Sequence, residues 1–357
     1  MNPLKAQVET FVEQQLDLNS PSGPVEKRIP SGLLVQDCFI QITRSAFRRT
    51  RIDDESSNDL RRKLENAIAD HQPITLAVPF GGYKNHRAQS FPGPDWAEVF
   101  NMNYLARYLL PLAQCYEPGV ILQYTYSSGV MDLVSNIPPI ATATYVEQFR
   151  SLLAVFAKRI PANLCMTVVD ISSQYTGTKL MEELRRNYED NLARWNDKLS
   201  PDEQSRRIAS AERNLMRVGA DDFSSLNEAE WKARCMDAAM WCEALDSLTL
   251  RRRFNKYSEN IQLVFVRGPG LSVHVGSCDT SAHHFWSGSG VLELHGDRLQ
   301  QRILSGEKLS IYKQQGLVRD VAVRSVLSTI SSTFDFMPVL TFNPNHRTNV
   351  RPEISSA

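Results

Sequence analysis

The chain has 357 residues with 40 basic and 40 acidic side chains, so its formal net charge is zero. This balance lacks the basic excess of nucleic-acid-binding proteins. The 42% hydrophobic content is typical of a folded globular protein. No apolar stretch is long enough to span a bilayer, and the N-terminus lacks a secretory pattern. We therefore expect a cytoplasmic protein without nucleic-acid or membrane partners.

Apolar periodicity predicts alternating helices and strands in the N-terminal half. The predicted helices are residues 3–17, 53–70, 95–115 and 145–160, and 33–47 is a further buried element. The predicted strands are residues 74–80, 120–128 and 164–171, all read as buried, with 130–134 as a hairpin or continuation of the second. Strands that alternate with helices indicate crossover units and an α/β sheet.

The C-terminal half first becomes helical and then returns to strands. Residues 177–255 are rich in charges and nearly free of proline, which predicts a helical subdomain. The predicted strands that follow are residues 261–267 and 271–275, a hairpin over 291–304 that turns at Gly296-Asp297, and 336–342. We thus predict an N-terminal helix and linker (1–30), a single α/β catalytic domain with a Rossmann-like mixed sheet flanked by helices (31–345), and a tail (346–357).

The six cysteines, at positions 38, 115, 165, 235, 242 and 278, form no CxxC pair and lie mostly in apolar sequence. This pattern predicts reduced, buried thiols rather than disulfides or a zinc site.

The first candidate site is the loop that follows strand 74–80. Gly81 and Gly82 allow backbone N–H groups to approach a ligand closely, and Lys84 and Arg87 supply charge for a phosphate or carboxylate. The Gly-to-Lys spacing is not that of a Walker loop. The alternative is a solvated basic turn.

Two further groups flank this loop in the predicted fold. Asp95 and Glu98 have the spacing of a helix capping box, and their alternative role is a general base or partners for a substrate ammonium. Ser127 ends a buried strand, where open α/β sheets bind their ligands, and its alternative is an ordinary turn.

The second candidate site is a histidine-rich segment that contains His274, His283, His284 and His295. Imidazole is the side chain most used for proton transfer near neutral pH, and it also binds metals. The His295-Gly296-Asp297 triplet has the form used by mononuclear iron oxygenases, with His346 as a distal ligand and Arg351 as an oxo-acid anchor. The competing explanation, which we favour, is a hairpin turn.

The order of these segments resembles the pyoverdine and dityrosine biosynthesis family, whose characterised bacterial members are isonitrile synthases. The resemblance covers roughly residues 60–310. The first matching segment is PITLAVPFGGYKNH followed by PDWAEVF, and its matching positions are Pro79, Phe80, Lys84, Asn85, Asp95, Ala97 and Glu98. The later matching segments are the turn and strand YEPGVILQYTYSSGVMDLV, the strand GLSVHVG and the run SAHHFWSGSG.

This chain departs from the family at two places. Ser127-Ser128-Gly129-Val130 replaces a serine–aspartate–glycine–arginine turn, so an acid and an arginine are missing. Gly270 replaces an arginine before the strand that contains His274.

The resemblance implies an enzyme that joins the amine of an amino acid to the ketone carbon of ribulose 5-phosphate, after which the adduct fragments to an isonitrile. Lys84, Arg87 and Arg267 would then hold anions, while His274 and His283 or His284 would transfer protons, and neither a metal nor a cofactor is implied. The partners would be an amino acid and a sugar phosphate, and a homodimer is compatible with the sequence. The alternatives are an iron- and 2-oxoglutarate-dependent oxygenase and a non-catalytic small-molecule-binding homologue.

Overall fold

The computed structural model describes residues 3–16, 31–44, 52–82, 84, 93–128, 137–170, 178–219, 225–249, 260–264, 272–274 and 285–341. Its helices are α1 (Pro3–Leu16), α2 (Ser31–Ile42), α3 (Asp54–Ala69), α4 (Trp96–Cys115), α5 (Pro139–Ala157), α6 (Thr178–Lys198), α7 (Pro201–Gly219), α8 (Glu228–Thr249) and α9 (Gly306–Gln314). Its strands are β1 (Ile74–Pro79), β2 (Val120–Tyr126), β3 (Leu164–Asp170), β4 (Ile261–Val264), β5 (Ser272–His274), β6 (Gly288–His295), β7 (Arg298–Ser305), β8 (Val318–Ala322) and β9 (Phe336–Thr341). Short 3-10 helices span Phe285–Ser287, Val326–Thr329 and Ser332–Asp335.

The first sheet is parallel and has the strand order β3-β2-β1-β4-β5. Leu76 of β1 pairs with Leu122 of β2 on one side and with Ile261 of β4 on the other. Helices α4 and α5 carry the chain from β1 to β2 and from β2 to β3, because parallel neighbours need a crossover. The next strand then adds to the opposite side of β1. This is the Rossmann strand order, with its switch point between β1 and β4.

The centre of the core lies between this sheet and α4. Leu76 and Val78 of β1 are 0% exposed, which is typical of a strand covered on both faces. Residues 96–103 of α4 are all buried, so the first part of this helix is enclosed on all sides. Its first turn packs against β6, where a Cβ on Gly290 would collide with the backbone of Trp96 and Ala97.

The second sheet is mixed and has the order β7-β6-β9-β8. Its β6–β7 hairpin is antiparallel and pairs His295 with Arg298, so Gly296 and Asp297 form the two-residue loop. Gly296 has φ +62°, as a type II′ turn requires at its first loop position. The sequence-based prediction of this turn is confirmed.

Helices α6, α7 and α8 occupy the region predicted to be helical. Both α6 and α7 pack against α8. Trp195, Leu215 and Ala238 belong to an apolar cluster of these helices that is separate from the main core.

The α/β class is confirmed, but several predicted details are corrected. The strand over 164–171 was expected to be buried. Among the described strands, however, β3 has a neighbour on one side alone, so it is an edge strand whose last residues are partly exposed. The sequence did not predict α9 or β8. Residues 130–134 and the tail lie outside the described residues.

The described cysteines form no disulfide, as predicted. Their predicted burial holds for Cys38 and Cys235, whereas Cys165 is exposed. Within the described part of the chain, no helix combines the length and the apolarity needed to cross a membrane.

Candidate functional site

The carboxyl ends of the parallel strands lie at one edge of the sheet, and several predicted site residues gather there. β1 leads into Gly81 and Gly82, β2 leads into Ser127, and β5 ends at His274. Gly82 has φ +68°, and a Cβ there would lie 2.7 Å from Cδ2 of Tyr126. A residue with a side chain would be strained and crowded, so glycine lets the turn after β1 pack directly on the end of β2.

Lys84 lies beneath this edge in a buried polar network. Its side chain is 0% exposed. Its ammonium donates to Asp95 Oδ1 at 3.0 Å, to both Glu98 carboxylate oxygens at 2.9 Å, and to the Phe285 carbonyl at 2.9 Å. One side chain therefore joins the loop after β1, the start of α4 and the segment that leads into β6.

The same carboxylates cap α4. The Asp95 carboxylate accepts from the Ala97 N–H at 2.7 Å, and the Glu98 carboxylate accepts from the Asp95 N–H at 2.7 Å. The predicted capping box is thus present. Asp95 Oδ1 also accepts from the Gly290 N–H at 3.2 Å, so the cap of α4 is tied to the second sheet.

The network contains one cationic and two carboxylic groups, and it would carry a net negative charge if both acids were ionised. An uncompensated charge in a protein interior is unfavourable. Burial raises the pKa of Glu98 to about 8, because desolvation outweighs the opposing attraction of Lys84, and the charge of Asp95 adds to the rise. Glu98 is therefore harder to ionise than an exposed glutamate.

Tyr145 of α5 completes the shell around Glu98, since its hydroxyl donates to Glu98 Oε1 at 2.9 Å. Burial, followed by the charge of Glu98, raises the pKa of Tyr145 well above its usual value, so the phenol keeps its proton and remains a donor.

An aromatic block surrounds these polar groups and accounts for their low-dielectric setting. The Phe80 ring stacks on Phe149 with centroids 5.1 Å apart and on Phe285 at 5.9 Å. Tyr124 meets Phe149 edge to face at 5.0 Å, and its hydroxyl donates to Asn101 Oδ1 at 2.9 Å. Lys84 and Glu98 are both 0% exposed.

The predicted site residues thus divide into three groups. Lys84, Asp95 and Glu98 come together, but in the interior, so Lys84 is not presented there as an open cation for a phosphate. Ser127 is 3% exposed at the end of β2. His274 ends β5 at the same edge of the sheet. Four further predicted residues lie outside the described residues: Arg87, Arg267, His283 and His284.

The sequence analysis missed Tyr145 and Asp170. The Asp170 carboxylate accepts from the Ser128 N–H at 3.3 Å; Asp170 lies near the end of the predicted strand 164–171, and that position at a carboxyl edge was the available signal. Tyr145 lies on an amphipathic helix, where nothing in the sequence distinguishes it from other residues of the helix.

The iron-binding alternative gains no support from the described residues. The side chain of His295 is 50% exposed beside the hairpin turn, with Nε2 at 3.2 Å from Glu293 Oε1. His346 and Arg351 lie outside the described residues. Among the ranges given above, no group of three or more His, Cys, Asp or Glu side chains is placed to hold a metal ion.

The fold and its site define a Rossmann-type α/β protein with polar groups at the carboxyl edge of the sheet. No family model and no curated protein matches the sequence. Among solved structures, the chain is similar to the PvcA protein from Pseudomonas aeruginosa, with a TM-score of 0.57 and 13% sequence identity. The match covers 86% of this chain and 98% of PvcA. At this identity, the similarity shows a shared fold.

Proposed function

We propose that this protein is an isonitrile-synthase-like enzyme of small-molecule biosynthesis, which joins the amine of an amino acid to ribulose 5-phosphate. Two independent comparisons support the proposal. The sequence motifs resemble the pyoverdine and dityrosine biosynthesis family, and 86% of the chain aligns with the fold of PvcA.

The proposal depends on one observation, the set of contacts that the Lys84 ammonium makes. Lys84, Asp95 and Glu98 occupy the positions that match the family motif, and their side chains are in direct contact. The ammonium also donates to the carbonyl of Phe285. Phe285 follows His283 and His284 directly in the sequence. The contact therefore anchors the end of the histidine-rich segment next to the glycine loop.

The reaction requires cations for the phosphate and carboxylate, and acid–base groups for imine formation and carbon–carbon cleavage. In this proposal Arg87 and Arg267 bind anions, and His274, His283 or His284 transfers protons. Lys84 acts through the segments that it joins, as a positioning residue, because its ammonium is enclosed by carboxylates.

The direct test is incubation of the purified protein with ribulose 5-phosphate and each standard amino acid in turn, followed by mass spectrometry. We expect one amino acid to gain a carbon and lose both amine hydrogens. His283→Ala and His284→Ala are expected to reduce product formation. His295→Ala serves as the control, because it removes an exposed imidazole at the hairpin and should leave turnover unchanged.

Three outcomes would contradict the proposal. If no amino acid gains a carbon, the assigned reaction is wrong. If the purified protein contains stoichiometric iron and His295→Ala does not, the oxygenase is favoured instead. If amino acids bind without turnover, a non-catalytic homologue is favoured.

A further inference from the structure

Two cysteine thiols meet where α2 packs against the end of α4. Cys38 lies on α2, and Cys115 is the last residue of α4. Their Sγ atoms are 4.0 Å apart, although the two residues are separated by 77 positions in the sequence. The two helices contact each other, so their packing brings the sulfur atoms together.

A small movement would bring the two sulfur atoms to bonding distance. A disulfide has an S–S length of about 2.05 Å, so the 4.0 Å separation must shorten by about 2 Å. Each Sγ can move by rotation about its Cα–Cβ bond. The backbone at Cys115 is not held by a continuing helix, because Tyr116 already has extended geometry with φ −128° and ψ 111°.

The two thiols differ in their access to solvent. Cys38 is 0% exposed, whereas Cys115 is partly buried. An oxidant that arrives from solvent therefore reaches Cys115 first. Cys38 needs no access to solvent to react with the neighbouring sulfur, because the two atoms are already in contact.

The hydrogen bonds of the pair give the two sulfur atoms different roles. The Cys115 thiol donates to the Leu112 carbonyl at 3.3 Å, which leaves its sulfur to accept from the Cys38 thiol. That hydrogen bond lowers the pKa of Cys115, against burial and the charge of Asp37. The same contact, followed by burial, raises the pKa of Cys38. Because the thiolate is the form that attacks peroxides, Cys115 is the more reactive of the two.

We propose that Cys115 and Cys38 form a peroxide-sensitive redox pair, in which Cys115 is oxidised first and Cys38 then closes a disulfide between α4 and α2. The inference goes beyond the proposed function and does not depend on it, because neither cysteine takes part in the reaction assigned above.

The oxidation has two steps. The Cys115 thiolate attacks one oxygen of hydrogen peroxide and breaks the O–O bond, which gives a sulfenic acid and a hydroxide that takes up a proton to become water. The Cys38 sulfur then attacks the Cys115 sulfur and displaces its oxygen as hydroxide, which takes the Cys38 proton and leaves as water. In total, two thiols and one peroxide give one disulfide and two waters, and the two electrons that the sulfur atoms lose reduce the peroxide.

Peptide mapping of the purified full-length chain tests the assignment. The reduced protein is treated with increasing hydrogen peroxide, its remaining thiols are blocked with N-ethylmaleimide, and it is digested with trypsin without reductant. Cleavage after lysine and arginine places Cys38 in residues 29–44 and Cys115 in residues 108–150, each as the sole cysteine of its peptide. We expect mass spectrometry to find these peptides joined, with two hydrogens fewer than their sum, and to find them separate after treatment with dithiothreitol.

Single replacements separate the two roles, and alanine is used because it leaves no buried hydroxyl without a partner. In Cys38→Ala the disulfide cannot close, so Cys115 should accumulate as a sulfenic acid that dimedone captures in greater yield than in the wild type. In Cys115→Ala, Cys38 should stay reduced, because its sulfur is buried. Cys165→Ala is the control, since it removes an exposed cysteine and should leave the yield of joined peptides unchanged.

The disulfide should also stabilise the fold, because a link between residues 77 positions apart restricts the unfolded chain. The oxidised wild type should therefore unfold at a higher urea concentration than the reduced protein, and Cys38→Ala should show no such shift.

Three results would overturn the assignment. They are a native wild type that yields no link between the two peptides, oxidation of Cys38 in Cys115→Ala, and an oxidised wild type that unfolds at lower urea, which would show that the link does not fit the native packing. Circular dichroism checks the folding of each variant. If a variant does not fold, the wild-type peptide map and urea shift decide the question.

Discussion

Replacing Lys84 by methionine would test whether its buried contacts with Asp95 and Glu98 stabilise the fold. Methionine has a similar length but no charge, so Lys84→Met would leave the carboxylic groups of Asp95 and Glu98 in a buried volume without their cation. Lys84 is 0% exposed and makes bonds of 2.9–3.0 Å to both acids. Neither acid can regain equivalent solvation from water, since Asp95 is 3% and Glu98 0% exposed.

Removal of one partner from a buried ion pair typically destabilises a protein by about 3–5 kcal/mol. We expect Lys84→Met to fall near the lower end, ~3 kcal/mol at neutral pH, because Glu98 can take up a proton and lose its charge. The loss should grow at higher pH, where that proton dissociates.

Lys63 provides the matched control, because its side chain is also buried and 2% exposed. It bonds to Asp59 at 3.0 Å, but that carboxylate is 14% exposed and is also paired with Arg62. Asp59 therefore keeps a cation and some solvent after Lys63→Met, and we expect this variant to lose less than half as much stability.

Urea unfolding followed by fluorescence would give the free energies of unfolding. The double variant Lys84→Met/Glu98→Gln should be more stable than Lys84→Met alone, because it removes one of the two acids left without a cation. The reasoning is refuted if Lys84→Met is no more destabilising than Lys63→Met, or if the double variant recovers nothing.

Three further predictions concern neighbouring positions. The folded-state pKa of Glu98 is raised from 4.5 to about 8, so its stabilising contribution is complete below pH 4.5 and is lost as the pH rises through 8. The unfolding free energy of wild type relative to Glu98→Gln should fall across this window by at most ~1.4 kcal/mol per pH unit; a flat difference would contradict the assignment. Gly82→Ala should lower the free energy of unfolding by ~1–3 kcal/mol more than Gly316→Ala does. Both glycines have φ +68°, but of the two only Gly82 would place a Cβ against the Tyr126 ring. Equal losses in urea unfolding would show that this contact is not tight. Gly290→Ala should yield little folded protein by circular dichroism, because its Cβ would collide with backbone, and a native melting curve would refute this.

The local features of this protein were accessible from the sequence. The spacing of Asp95 and Glu98 predicted the capping box, and Gly296-Asp297 predicted the hairpin turn. The apolar run that became β1 predicted a strand covered on both faces. Each of these depends on residues within a few positions of one another, where backbone geometry dictates which groups can meet.

Tertiary structure alone decided which distant groups meet. The sequence indicated that Lys84 would bind an anion, and it does bind carboxylates, but they are those of the protein's own α4. Its bond to the Phe285 carbonyl joins residues 201 positions apart, and the Ser128–Asp170 contact joins residues 42 apart. Such pairings follow from the strand order and the parallel register, which depend on how the whole chain packs, and no local pattern specifies them.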